Sequence, residues 1–201
     1  MLELRSVETA SEDLQYIRRT LEAAGQFTAV PGKYLAAAGA MALAGVAANN
    51  LVTGAPWASP PPSGAALDVW GIVLGISVAI ILYGIRRKTQ LLGIPLRAPL
   101  VRKLLWSLCP ALFVGALLTS LAVGRGQFSW LPVIWLGCYG AAITSGGQVS
   151  IAPLRCLGVC LLVSAAAAAA APAEMGLTWL AIGFGWLHLV FGAYIAWRYH
   201  G

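Results

Sequence analysis

The chain has 201 residues, 59% of them hydrophobic and only 10% charged, with a formal net charge of +6. Soluble domains carry about 25% charged residues, and a water-soluble globule of this size has no interior able to hide so much apolar surface. The solvent for most of this chain is therefore lipid. The positive balance is no sign of nucleic-acid binding, because the basic residues flank apolar runs and form no separate soluble domain.

Residues 1–32 form the one sizeable segment expected outside the membrane, a cytoplasmic amphipathic helix with its linker. Ser11 ahead of Glu12 and Asp13 reads as an N-cap with a first turn matched to the helix dipole. Val7, Ala10, Leu14, Ile17, Leu21 and Ala24 recur at alternating spacings of three and four, one apolar stripe. Gly25 is a natural stop. The stripe is too short for a stable isolated helix in water, so Leu14, Ile17 and Leu21 are candidate contacts. Their counterpart is the bilayer, the bundle itself, a cytoplasmic protein or a second copy. The helix's mixed charge differs from the Lys/Arg-rich face of lipid-binding helices. No signal peptide is expected ahead of the first span, since this segment is acidic.

Six membrane spans follow, at 33–53, 69–85, 104–123, 130–147, 154–171 and 177–197, lengths that suit a hydrocarbon core of about 30 Å. Between the second and third, residues 86–103 hold Arg86, Arg87, Lys88, Arg97, Arg102 and Lys103 and no acid. Pro95 and Pro99 forbid one continuous helix there. A loop this basic stays on the cytoplasmic side. That choice puts twelve of the thirteen Lys and Arg residues inside, with only Arg125 outside. The expected fold is an all-α integral membrane protein, a six-transmembrane-helix bundle with both termini inside, occupying residues 33–201. Asn49 and Asn50 are read as interfacial residues near the outer end of the first span.

Small residues recur at spacings of about four in four spans: Gly71, Gly75 and Ala79; Ser107, Ala111, Gly115 and Thr119; Cys156, Cys160, Ser164 and Ala168; Ala181, Gly185, His188, Gly192 and Ala196. Each stripe is expected to let helices approach closely. Spans one and four also align without gaps, Pro31, Leu35, Gly39 and Gly45 on Pro132, Leu136, Gly140 and Gly146, as an inverted repeat requires. Ala/Gly-rich helices align by chance, and chance is the preferred explanation.

His188 is the one ionisable residue deep in a span and lies on its small-residue face, the candidate for binding a haem or pigment. The plainer reading is a neutral imidazole bonded to a neighbouring helix. Cys109, Cys156 and Cys160 are the candidates for a soft metal, without a Cys-x-x-Cys or Cys/His pairing to support one; packing thiols are the expectation. No cofactor or metal is expected. Nor is enzymatic activity: no span holds a carboxylate or lysine well inside it, and no H-E-x-x-H or G-x-S-x-G occurs. The six-span plan with a His in its last span is similar to rhomboid proteases in architecture. The best serine, Ser145, closes the fourth span where theirs opens it, and Ile143 stands where their glycine would, so no activity carries over.

Leu14-Gln-Tyr16-Ile17-Arg18-x-Thr20-x-Glu22 followed by Phe27-Thr-Ala-Val-Pro-Gly32 resembles the start of a group of uncharacterised bacterial membrane proteins, over about residues 12–40. The resemblance implies a bacterial cytoplasmic (inner) membrane and no particular activity. The leading functional expectation is a non-enzymatic anchoring, sensing or complex subunit. Its contacts would be the N-terminal helix and the basic residues of 86–103, with a cytoplasmic protein or a second copy as partner. A small-solute permease or channel is the alternative, and a haem- or pigment-binding subunit through His188 a second.

Overall fold

The computed structural model describes residues 30–53, 57, 64–91 and 99–199. Within them the chain is all-helical: α1 Gly32–Thr53, α2 Gly64–Leu91, α3 Pro99–Gly124, α4 Leu131–Gly147, α5 Ala152–Ala170 and α6 Ala173–Arg198. All six are long and apolar enough to cross a membrane, α4 together with its 3₁₀ lead-in Phe128–Trp130. The segment expected to form the amphipathic helix, with Leu14, Ile17 and Leu21, lies outside the described residues, as does Arg97.

Two boundaries need correction. α2 runs on to Leu91 and α3 begins at Pro99. Arg86, Arg87 and Lys88 are therefore the last turns of one helix, and Arg102 and Lys103 lie in the first turns of the next, where a loop was expected. The sequence after Ile85 contains no helix breaker before Gly93, and a proline is tolerated at the first helical position because its missing N–H would be unpaired there anyway.

The helices pair as antiparallel neighbours, α1 with α2 and α6, α4 with α3 and α5, while α6 also lies against α4 and α5. Their ends gather into two faces. Gly32 meets Ala196, Lys88 reaches Val30 and Tyr199, and Gly147 meets Arg155, which makes the basic end. Trp57 meets Gly176, and Gly176 meets Pro132, at the opposite, tryptophan end. Leu131, Leu136, Leu157, Leu161, Leu180 and Ile195 are fully buried and form the centre of the core. α2 and α3 are the flanks, with Ile72, Leu74, Trp106 and Phe113 exposed where lipid would cover them.

The α6 stripe packs as expected, so closely that a Cβ added at Gly39 of α1 would lie 2.8 Å from the Gly185 carbonyl oxygen. In α3, Gly115 meets Cys138 of α4. The α2 stripe is the correction: among the described residues a Cβ added at Gly71 or Gly75 would meet nothing within 4 Å, and Ala79 is exposed. α2 meets α1 on its opposite face, with Val73 seated in the notch at Gly45 and the Tyr34 ring over Gly84. A four-residue spacing defines a face without saying which neighbour the face meets.

The aligned glycines of the first and fourth spans also part company. Gly39 meets α6 and Gly45 meets α2, whereas Gly140 meets α5 and Gly146 meets α3. An inverted three-plus-three repeat maps α6 onto α3 and α2 onto α5. Each glycine instead meets the helix assigned to the other, so the aligned glycines do not play equivalent packing roles.

Candidate functional site

His188 is 4% exposed and sits where α6 changes character. Ala181–Leu187 is a π-helix, followed by α-helix from His188. In a π turn the backbone ladder shifts to five-residue bonds, and such segments often mark functional positions. Here His188 Nδ1 bonds the Gly183 carbonyl oxygen at 2.9 Å, five residues back, and Nε2 bonds the Tyr139 hydroxyl of α4 at 3.1 Å. A carbonyl can only accept, so Nδ1 carries a proton; a charge this buried with no carboxylate bonded to it would be costly, so the imidazole is neutral and Nε2 accepts the Tyr139 O–H. Tyr139 stacks on the imidazole at 5.5 Å and Phe184 lies 6.0 Å away. Both ring nitrogens are engaged and the faces are covered by the chain itself, a geometry that does not fit axial ligation of a haem or pigment.

The basic end holds a second built cluster. Lys88 is 9% exposed, and its Nζ donates to Val30 O at 2.9 Å and to Tyr199 O at 3.3 Å. Lys88 stands at the C-terminal turn of α2 and bonds the residue that follows α6, so the negative ends of two helix dipoles surround its charge. Next to it Arg87 Nη1 donates to the Tyr34 hydroxyl at 3.0 Å, and Tyr34 meets Tyr83 edge-on at 5.7 Å. Of the cations expected to contact a partner, Lys88 is thus turned inward and Arg87 hooked onto the chain's own α1. Arg86, Arg102 and Lys103 remain exposed, joined on the same face by Lys33, Arg155 and Arg198.

At the tryptophan end Trp57, Trp70 and Trp135 form a triangle with ring centroids 5.9 to 6.4 Å apart. Trp57 Nε1 donates to Phe128 O, and Trp135 Nε1 to Thr119 Oγ1. Asn49, read from sequence as interfacial, is 1% exposed and donates to Thr53 Oγ1 at 3.3 Å. Sequence reasoning missed this cluster. Its only mark in the sequence is the density of tryptophan near the outer span ends, a feature that membrane-interface anchoring alone would also produce.

The thiols do not assemble. Cys109 and Cys156 are exposed on α3 and α5, Cys160 is half-buried, and among the described residues no three His, Cys, Asp or Glu side chains converge to hold a metal. A groove of about 240 Å³ between α1 and α2 is lined only by apolar side chains, including Met41, Ala48, Val69 and Ile72.

Fold and sites together define a multi-pass membrane-helix bundle with one polar pin at mid-depth and another at its basic end. No protein-family model, curated protein or solved structure matches the chain.

Proposed function

We propose that this is a non-enzymatic subunit of a bacterial cytoplasmic membrane, with both termini inside, that anchors or senses through its basic face and its N-terminal helix. Of the nine described Lys and Arg residues, eight lie at the basic end and only Arg125 at the other. The two described acids, Asp68 and Glu174, lie with Arg125 at the tryptophan end. That asymmetry supports the orientation, and the N-terminal resemblance supports the bacterial membrane.

One observation carries the functional reading. Among the described residues, the interior groups able to do chemistry, His188, Tyr139 and Lys88, are spent on holding helices together, while Arg86, Arg102 and Lys103 are exposed at the basic end. The partner such a surface fits is an acidic cytoplasmic protein segment, met jointly by these cations and the Leu14, Ile17 and Leu21 stripe. The permease alternative has less support because the aligned glycines of spans one and four meet non-equivalent helices, and the pigment alternative because both imidazole nitrogens are engaged.

The test is co-purification from native membranes with two variants. Replacing Leu14, Ile17 and Leu21 by Ser removes the stripe at constant charge; replacing Arg86, Arg102 and Lys103 by Gln removes the cations. Loss of a partner from both, with normal accumulation of the bundle, is the expected result. Unchanged companions in both variants would end the docking hypothesis.

A further inference from the structure

The bond that ties Arg87 to α1 leaves donors to spare on both partners. Arg87 Nη1 donates to the Tyr34 hydroxyl at 3.0 Å, and a guanidinium carries five N–H donors and no acceptor. The Tyr34 oxygen accepts from Arg87, and among the described residues its own proton has no acceptor. Tyr83 flanks the pair, its ring edge-on to Tyr34 at 5.7 Å and 60% exposed. A charged fork and a phenol O–H within one hydrogen bond of each other suit the two free oxygens of a phosphodiester. No described acid competes for them: Asp68 and Glu174 lie at the opposite end, whereas Lys33 and Arg86, the chain neighbours of Tyr34 and Arg87, are exposed cations.

This pair heads the furrow that contains the apolar groove of about 240 Å³ between α1 and α2. On α1, Tyr34, Met41 and Ala48 recur every seven residues and share a face. On α2, Val69, Ile76 and Tyr83 do the same, and Arg87 follows one turn beyond Tyr83. Met41, Ala48 and Val69 line the groove, so both faces bound one side of the antiparallel pair. That side opens outward, since Ala44 and Ile72 of the groove and Ile76 of the furrow are exposed. Lys88, next to Arg87, turns the other way, to Val30 and Tyr199. Met41 lies about 10 Å along α1 from Tyr34, and one leaflet's share of a ~30 Å hydrocarbon core is about 15 Å. A chain that starts at the phenol therefore enters the groove within its own leaflet.

We infer that the α1–α2 furrow binds one net-anionic phospholipid, its phosphodiester on Arg87 and the Tyr34 hydroxyl and an acyl chain in the groove past Met41 and Ala44. The site uses none of Arg86, Arg102 and Lys103, so it stands or falls apart from the protein partner proposed for them. The experiment places the full chain in nanodiscs of equal phosphatidylcholine and phosphatidylglycerol and counts the lipids retained in native mass spectra. Wild type should keep one phosphatidylglycerol in preference to phosphatidylcholine. Arg87→Gln should lower that preference about tenfold, the effect of one lost charge-assisted bond, and Tyr34→Phe, which keeps the ring over Gly84, should lower it less. Ala44→Trp, which fills the groove from an exposed position, should displace the lipid with the headgroup contacts intact. Arg125→Gln, at the opposite end, should change nothing. Equal retention of both lipids, or a preference that survives Arg87→Gln or Ala44→Trp, overturns the inference. It is overturned as well if no lipid is retained and the furrow instead takes a soluble anion, seen as glycerol phosphate or polyglutamate binding that Arg87→Gln abolishes, or a second copy, seen as a dimer that Ala44→Trp abolishes.

Discussion

The bonds around His188 offer the sharpest test of its role, because substitutions separate them from the volume of the ring. His188→Phe keeps an aromatic ring between Tyr139 and Phe184 but leaves the Gly183 carbonyl and the Tyr139 hydroxyl without partners. Intramembrane hydrogen bonds average ~0.6 kcal/mol and reach ~1.7, so two lost bonds should cost about 1.2 kcal/mol. Tyr139→Phe removes one bond and should cost about half of that. The double variant should be less destabilised than the sum of the singles by about 0.6 kcal/mol, the bond they share. His188→Ala forfeits the ring contacts as well and should cost about 2 to 3 kcal/mol. His188→Gln, which offers a donor and an acceptor, should recover much of that loss. Stability is read by unfolding in mixed micelles with rising dodecyl sulfate, followed by circular dichroism. Wild-type stability for both His188→Phe and Tyr139→Phe would refute the packing role, as would a Gln variant that folds normally yet abolishes a measured transport or binding activity.

Three further outcomes are expected. Gly39→Leu should prevent stable folding, because a side chain there runs into the α6 backbone, whereas Gly75→Leu should accumulate normally, since among the described residues an added Cβ meets nothing within 4 Å; thermal stability of the purified variants checks both. Lys88→Met removes two charge-assisted bonds worth roughly 1.5–3 kcal/mol each, partly offset by the relief of burying a charge, so it should lower stability by about 1–3 kcal/mol and raise protease sensitivity at the C-terminus. For topology, a cysteine at Gln127 should react with an impermeant reagent in sealed right-side-out cells and one at Gln90 should not; both positions are exposed, unlike the fully buried Thr89. Labelling at Gln90 would reverse the map.

The spans and the charge asymmetry were legible because each is a property of one stretch of chain. A run of apolar residues needs no partner to be recognised, and neither does a basic segment beside it. The inward face of α6 was legible for a related reason: His188, Gly185 and Gly192 mark the same side, and a polar group in lipid must face protein. What stayed hidden depends on distant residues. Lys88 looked like one more surface cation because the carbonyls that hold it belong to residues 58 and 111 positions away. The stripe of Gly71, Gly75 and Ala79 had the right spacing and the wrong neighbour. Asn49 looked interfacial because its place near a span end says nothing about how far the neighbouring helices bury it. The π segment of α6 had no clear mark in composition, although Gly183 and Gly185 inside it ease backbone distortion.

These hidden contacts change what the basic end is. A loop of six mobile cations would be a soft electrostatic patch. Lys88 instead joins Val30 just before α1, the last turn of α2 and the residue after α6. Arg87 and Tyr34 add a second tie between α1 and α2 a turn away. α1 itself is rich in Ala and Gly, so its backbone lies close to both neighbours, and a shift of its start must push on α2 and α6 together. Residues 1–29 join the bundle at this fixed point. A partner that engages the N-terminal segment would therefore act on a place already tied to the C-terminal turn, with the exposed Arg86 beside it in the last turns of α2. The proposed anchoring role would use this joint, because a pull on the start of α1 is shared with α2 and α6.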